Sequence, residues 1–353
     1  ISPALISGFG VIKNIGTALF VTAVGYIAGP KFFGTMKKSF KSFVLLGLVI
    51  ILSGGIAAVI CIGIGNVIGY GSSIETSAGF TAMISGLLAG ALTSTPAFSA
   101  AKATVDPSLT SLVSVGYGIA YIFGVIGVVL FVQLMPKVVK ADMDVERTKL
   151  VGREEEKSET KKIFTGTLLK LDDHGFGVFA LAAVLGTIVG KIKIPLSSAG
   201  LEGTCFSLTT TGGCLLVALI LGHFGRIGKL SVMPDQHTLK LFRELGLVLF
   251  LVGAGIPGGA DFVENFDIMY FVYGIIMTVL PMIIGFIFAK YVLKLSLLNN
   301  LGSLTGGMTS TPALGTLINV AKTEDVAAAY AATYPVALIA VVLVSQFLLI
   351  LFS

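Results

Sequence analysis

The chain has 353 residues, 55% of them hydrophobic and only 12% charged, with a mean hydropathy of +0.96. These values exclude a soluble globular domain and describe a polytopic membrane protein. The formal net charge of +5 falls mostly in segments beside the apolar runs, where it serves topology rather than nucleic-acid binding.

Apolar stretches of crossing length, about 20 residues, are expected near 6–29, 42–69, 110–135, 176–193, 203–222, 241–259, 269–293 and 327–352. Two weaker stretches, 78–103 and 296–321, carry glycines, hydroxyls and a proline. Between the halves, residues 137–173 hold 18 of the 43 charged residues and show no packed-core pattern, so a solvated connector is expected there. The chain thus divides into 1–136, a connector 137–173, and 174–353. Cys61, Cys205 and Cys214 lie in apolar segments and form neither a disulfide framework nor a metal-ligand spacing.

One phrase occurs twice. Gly90-Ala91-Leu92-Thr93-Ser94-Thr95-Pro96-Ala97 recurs as Gly306-Gly307-Met308-Thr309-Ser310-Thr311-Pro312-Ala313. The halves overlay around it: Gly16, Phe20, Gly25 and Gly29 match Gly246, Phe250, Gly255 and Gly259 at an offset of 230, and Gly86 matches Gly302. Tyr117 and Tyr121 match Tyr330 and Tyr334 at an offset of 213. Three landmarks in one order define an internal repeat. The second copy carries two extra crossings at its start, so two helices are expected to precede Ile1.

Charge orients the copies. Lys31, Lys37, Lys38 and Lys41 follow the first crossing, whereas the matching loop carries Asp261, Glu264 and Asp267. Basic loops stay cytoplasmic, so equivalent loops lie on opposite sides and the repeats are inverted. That requires one non-crossing segment per copy, and the phrase-bearing stretch is expected to be a re-entrant hairpin.

Hydroxyls, glycine and proline at membrane depth are tolerated where broken backbone lines a cavity, and two such breaks at matching places point to a transporter's substrate site. Proline removes a donor and breaks the helical ladder, and a helix N-terminus facing the cavity attracts a carboxylate. The expected substrate-binding residues are Gly90, Thr93, Ser94, Thr95, Pro96, Gly306, Gly307, Thr309, Ser310, Thr311 and Pro312, with Arg243 and Tyr334. Lys13 is the counterpart of Arg243; each either holds an anion or snorkels to its interface. Thr209-Thr210-Thr211-Gly212-Gly213 reads first as close helix packing. His174 with Asp172 and Asp173 reads as a solvated loop, and His223 and His237 have no ligand partners at metal spacing. No catalytic triad, phosphate loop or nucleotide fingerprint is present, so neither enzyme chemistry nor a cofactor is expected.

Leu19-Phe20, Val24-Gly25, Gly29-Pro30, Gly90 through Pro96, Gly175-Phe176, Gly212-Gly213, Leu221-Gly222, Arg243 through Gly246, Gly307 through Pro312 and Tyr334-Pro335 resemble the aspartate:alanine exchanger family. The resemblance covers nearly all of the chain except the connector. It implies a multi-pass transporter of the bacterial inner membrane that exchanges or exports small amino or dicarboxylic acids such as aspartate, alanine or succinate. It also implies a homodimer and, by analogy with carriers of similar repeat plan, elevator-like access. Many family members carry soluble regulatory domains between the halves, and here only the charged connector stands there. The rival readings are a sodium- or proton-coupled carboxylate symporter on the same scaffold, and an ion channel.

Overall fold

The computed structural model describes residues 3–69, 74, 76–155, 169–195, 205–206, 208–265 and 267–352. Apolar runs in lipid must satisfy their backbone internally, and the described chain is accordingly almost all helix. The order is α1 (Pro3–Ile68), α2 (Ser77–Ala91), α3 (Thr95–Thr104), α4 (Thr110–Val138), α5 (Met143–Glu155), α6 (Phe176–Lys191), α7 (Thr209–Phe224), α8 (Gln236–Asn265), α9 (Ile268–Tyr291), α10 (Leu297–Gly307), α11 (Thr311–Ala321) and α12 (Val326–Phe352). Two short antiparallel ribbons, Ile194–Pro195 with Cys205–Phe206 and Arg226–Ile227 with Leu230–Ser231, join α6 to α7 and α7 to α8. Among the described residues, Ser7–Ile27, Lys41–Ile68, Pro107–Val138, Ile268–Tyr291 and Val326–Phe352 are long and apolar enough to cross a bilayer.

Three expectations change. The loop sought after residue 29 stays helical, and α1 runs 66 residues through Pro30. At about 1.5 Å per residue its contour is about 100 Å, more than one straight crossing holds, and it contains two apolar segments of crossing length, Ser7–Ile27 and Lys41–Ile68. Proline removes one intrahelical donor but does not end this helix. The connector is not wholly solvated either: α5 packs Met143 and buried Leu150 onto the main core. Met143, Glu146, Arg147 and Leu150 stand at i, i+3, i+4 and i+7, one helix face. Lastly, α6 and α7 have 16 residues each, shorter than a full crossing.

The apolar packing separates into two main cores. The larger joins both segments of α1, Phe20, Val21 and Val24 of the first included, with α2–α5, Leu215 and Leu219 of α7, and α9–α12. The smaller joins Ala23 and Tyr26 of α1 with Val178, Phe179 and Ala182 of α6, Ala218 of α7 and Leu239 of α8.

The first segment of α1 crosses α8 at glycines. A Cβ on Gly16 would stand 2.3 Å from the Phe250 nitrogen, and one on Gly246 would stand 2.4 Å from the Phe20 nitrogen. Further along, Gly253 lies against Lys13 and Phe9. Residue numbers rise on one helix as they fall on the other, so the two run antiparallel. Gly16 and Gly246 are equivalent positions of the repeat, and each meets the other's backbone reciprocally.

Candidate functional site

Each Thr-Ser-Thr-Pro phrase breaks its helix in the same way. At the end of α2, Thr93 N–H donates to Gly90 O (2.9 Å) and Ser94 N–H to Ala89 O (2.8 Å). At the end of α10, Thr309 N–H donates to Gly306 O (3.1 Å) and Ser310 N–H to Thr305 O (3.0 Å). These paired bonds form the Schellman helix end, which demands a left-handed residue and usually uses glycine. Here threonines occupy that position, Thr93 at φ 52° and Thr309 at φ 50°. A β-branched residue in that region is strained and persists only when its surroundings hold it.

The holding contacts are mutual. Thr93 Oγ1 donates to Met308 O (3.3 Å) and Thr309 O (3.2 Å), and Thr309 Oγ1 donates to Leu92 O (2.6 Å). Leu92 and Met308 hold the same place in the doubled phrase, so the two tips hold one another through matching contacts. The exchange also quenches carbonyls at the negative ends of α2 and α10. The positive ends of α3 and α11 begin immediately afterwards, with Pro96 and Pro312 in their first turns. Ser94 Oγ accepts from Ala97 N–H (3.3 Å), whereas no side chain caps α11.

Around the tips lies a cavity of about 140 Å³ lined by Lys13, Asn14 and Thr17 of α1, Thr93, Ser94, Thr95 and Pro96, Tyr121 of α4, Thr210 and Thr211 of α7, Phe250 of α8, Thr309, Thr311 and Pro312, and Tyr334 and Leu338 of α12. Lys13 Nζ stands 5.8 Å from the centre of the Tyr121 ring, a cation–π distance. Tyr121 stacks on Tyr117 at 5.2 Å and Tyr334 on Tyr330 at 5.3 Å. The buried hydroxyls of Tyr117 and Tyr330 lie beside Thr95 and Thr311 without completing hydrogen bonds. The lining offers one ammonium, many hydroxyls, two helix N-termini and no carboxylate. That chemistry receives an anion with hydrogen-bonding oxygens.

Eight of the sequence-derived candidates line the cavity: Thr93, Ser94, Thr95, Pro96, Thr309, Thr311, Pro312 and Tyr334. Ser310 is buried with an unpartnered hydroxyl but does not line it. Gly90 and Gly306 lie behind the tips: a Cβ there would stand 2.5 Å from Tyr117 O or Tyr330 O. They allow close approach of α2 to α4 and of α10 to α12, and Gly307 packs on Ile50.

Arg243 stands apart from the lining. Its guanidinium pairs with Glu324, in the turn between α11 and α12, and lies 3.4 Å from Glu244. No spacing in the sequence links positions 243 and 324, so that partner was illegible. Conversely, Thr210 and Thr211, read first as packing residues, face the cavity, while Gly213 beside them packs on Gly186 and Gly190. Asn14, Thr17 and Phe250 were missed, although Asn14 and Thr17 are polar neighbours of Lys13 in an apolar run.

The connector supplies two contacts that sequence did not reveal. Glu146 accepts from Leu297 N–H (2.9 Å) at the start of α10, and Arg147 donates to Ala321 O (3.0 Å) at the end of α11. At the chain's return to α6, Asp172 accepts from Gly177 N–H and Phe176 N–H (both 2.8 Å) and is not simply a solvated loop residue. Those amide donors, Gly177 first, hold its carboxyl below the usual carboxylate range.

A helical protein with several membrane-length segments and a polar cavity between paired broken helices has the build of a permease. The chain belongs to the Asp-Al_Ex family, described as a predicted permease membrane region, which matches residues 6–137 and 178–350. An "uncharacterized transporter" of Bacteroides thetaiotaomicron is 27% identical over 503 aligned positions, covering 97% of this chain and 91% of that protein. One of Desulfotalea psychrophila is 34% identical over 204 residues, covering 56% of this chain and 37% of its own. A "putative transport protein" of Klebsiella pneumoniae is 33% identical over 236 residues, 60% of this chain and 42% of its own.

Proposed function

We propose that this protein is a secondary transporter of the bacterial cytoplasmic membrane that exchanges small carboxylates or amino acids of the aspartate, alanine or succinate kind. The observation that carries this reading is the meeting of two broken-helix tips at one cavity, each presenting a helix N-terminus and hydroxyls beside Lys13. A carboxylate entering there finds donors whose cost of desolvation the fold has already met.

The inverted arrangement of the repeats draws support from the crossing of α1 and α8. Equivalent helices related by an axis along the membrane normal run parallel, whereas equivalents related by an in-plane axis run antiparallel, as these two do. On that plan α2–α3 and α10–α11 enter from opposite faces and meet near the midplane. The larger and smaller cores both run through the first segment of α1 and through α7, so elevator-like access rests on the analogy with carriers of similar repeat plan alone. The homodimer rests on the family resemblance alone, and the surface of α1, α6 and α9 exposes apolar side chains that suit lipid or a second copy.

Purified protein is expected to gain thermal stability with at least one member of a panel of amino and dicarboxylic acids. In proteoliposomes the same acid should show counterflow without an ion gradient. Strict dependence on a sodium or proton gradient would replace exchange with symport, and single-channel conductance would replace both with a channel.

A further inference from the structure

The tips are matched; the cavity is not. Its wall includes Lys13, Thr17 and Phe250 but none of their counterparts Arg243, Leu247 and Phe20. Because α1 and α8 cross antiparallel at Gly16 and Gly246, Lys13 and Phe250 lie on one side of the crossing, and Arg243 and Phe20 on the other. On that other side Phe20 is buried in the core and Arg243 is paired with Glu324.

An inverted repeat in an asymmetric conformation implies a second conformation in which the copies exchange roles. The exchange can be written out residue by residue for the two cations, whereas the counterpart of Glu324 at the offset of 216 is Ser108 and the acid of that turn stands two residues away. Arg243 leaves Glu324 and takes the place beside Tyr334 that Lys13 now holds beside Tyr121. Lys13 in turn needs a carboxylate in the turn between α3 and α4. That turn, 105–109, contains Asp106, which is exposed and accepts only local bonds from Ser108 (2.9 and 2.6 Å) among those described.

We propose that the cavity takes its positive charge from Lys13 in this conformation and from Arg243 in the opposite one, with Glu324 and Asp106 as alternate resting partners. The inference rests on the exchange reading above and extends it: one charged group of the substrate is neutralised on either side of the membrane without two cations ever facing it together. Glu324 and Asp106 act as positioning residues. Neither lines the cavity.

The test uses the full chain in proteoliposomes, with Cys61, Cys205 and Cys214 replaced by alanine and a single cysteine at Asn14, labelled by a membrane-impermeant maleimide. Removing the charge of Glu324 (E324Q) disfavours the present conformation, so labelling should slow by about threefold or more, while labelling of a cysteine at Leu247 quickens from the opposite face. D106N should move both rates the other way. The conservative variant E324D, which keeps a carboxylate for Arg243 and leaves Arg243 in place, should stay close to the parent rates, which separates lost pairing from lost folding. Unchanged rates in E324Q and D106N, rates that move together, or an E324D variant that behaves as E324Q does overturns the proposal. Labelling that reverses as stated in a protein that binds no acid would sink the carboxylate reading and leave the exchange of cations standing.

Discussion

Threonine at φ near +50° is an unusual choice where glycine would be free of strain, and it occurs at both tips. The hydroxyl explains it: Thr309 Oγ1 satisfies Leu92 O, which no solvent reaches at a buried helix end. Loss of that donor costs about 1–3 kcal/mol, while the left-handed strain costs a similar amount. The two can be separated. Thr309→Val keeps the strain and loses the bond; Thr309→Gly loses both. Melting in detergent should therefore rank wild type and the glycine variant above the valine variant, and a valine variant more stable than glycine would refute the strain account. Thr95 and Thr311 stand two residues further on, at the helix N-termini. Thr95→Val and Thr311→Val are each expected to weaken acid binding about tenfold, as for one hydrogen bond to a charged group, with melting temperature unchanged. Wild-type transport by both variants would dismiss the site. The doubled phrase made these residues legible in the sequence. The roles of Lys13 and Arg243 were not, because two cations at equivalent positions look alike until their partners are known.

At the scale of elements, both hairpins are held from behind by small residues, and the α10–α11 hairpin is held at its base by the connector. Gly306 lies where a Cβ would stand 2.5 Å from Tyr330 O, whereas Gly63 on the outer part of α1 has nothing within 4 Å. Gly306→Ala should thus destabilise by about 1–3 kcal/mol through overpacking, and Gly63→Ala, inside a helix with open space around it, should hold or slightly raise the melting temperature. Five of the eight expected crossing segments, the paired weak stretches and their order were readable from apolar runs because lipid imposes length and hydrophobicity directly, whereas 176–193, 203–222 and 241–259 are not among the described helices of crossing length. The helix α5 was not, since its face holds only Met143 and Leu150 as apolar anchors and its other contacts are polar. Glu146 and Arg147 close the open end of the α10–α11 hairpin. Glu146→Ala should leave Leu297 N–H uncapped at a cost of about 1 kcal/mol, read as faster amide exchange in the first turn of α10 and not in that of α9. At α6, the depressed carboxyl of Asp172 has the opposite sign to a raised histidine. Its contribution is present above its unfolded value of about 3.9 and is lost as pH falls through the lower folded value. Asp172→Asn should accordingly lower stability at pH 7, with the difference from wild type closing in acid.

For the whole molecule, several contacts that played no part in setting topology agree with it. Thr81 of α2 donates to Phe352 O (2.9 Å), and Gln346 of α12 reaches Thr104 of α3 (3.4 Å); these join the base of one hairpin to the end of α12. The base of the other hairpin meets α5 through Glu146 and Arg147, and meets α8 through Arg243. If basic clusters mark the cytoplasmic face, the connector, Lys290, Lys294 and the second hairpin's base lie inside, and the first hairpin's base and the end of α12 lie outside. Asp106 and Lys322, equivalent at the offset of 216 and both exposed, then fall on opposite faces. Single cysteines at these positions, each on a background without Cys61, Cys205 and Cys214, should differ under an impermeant reagent applied outside intact cells: Asp106→Cys is labelled and Lys322→Cys is labelled only after permeabilisation. Equal labelling of the two would place both turns on one face. The antiparallel crossing of α1 and α8 would then be a packing accident rather than the axis of an inverted repeat.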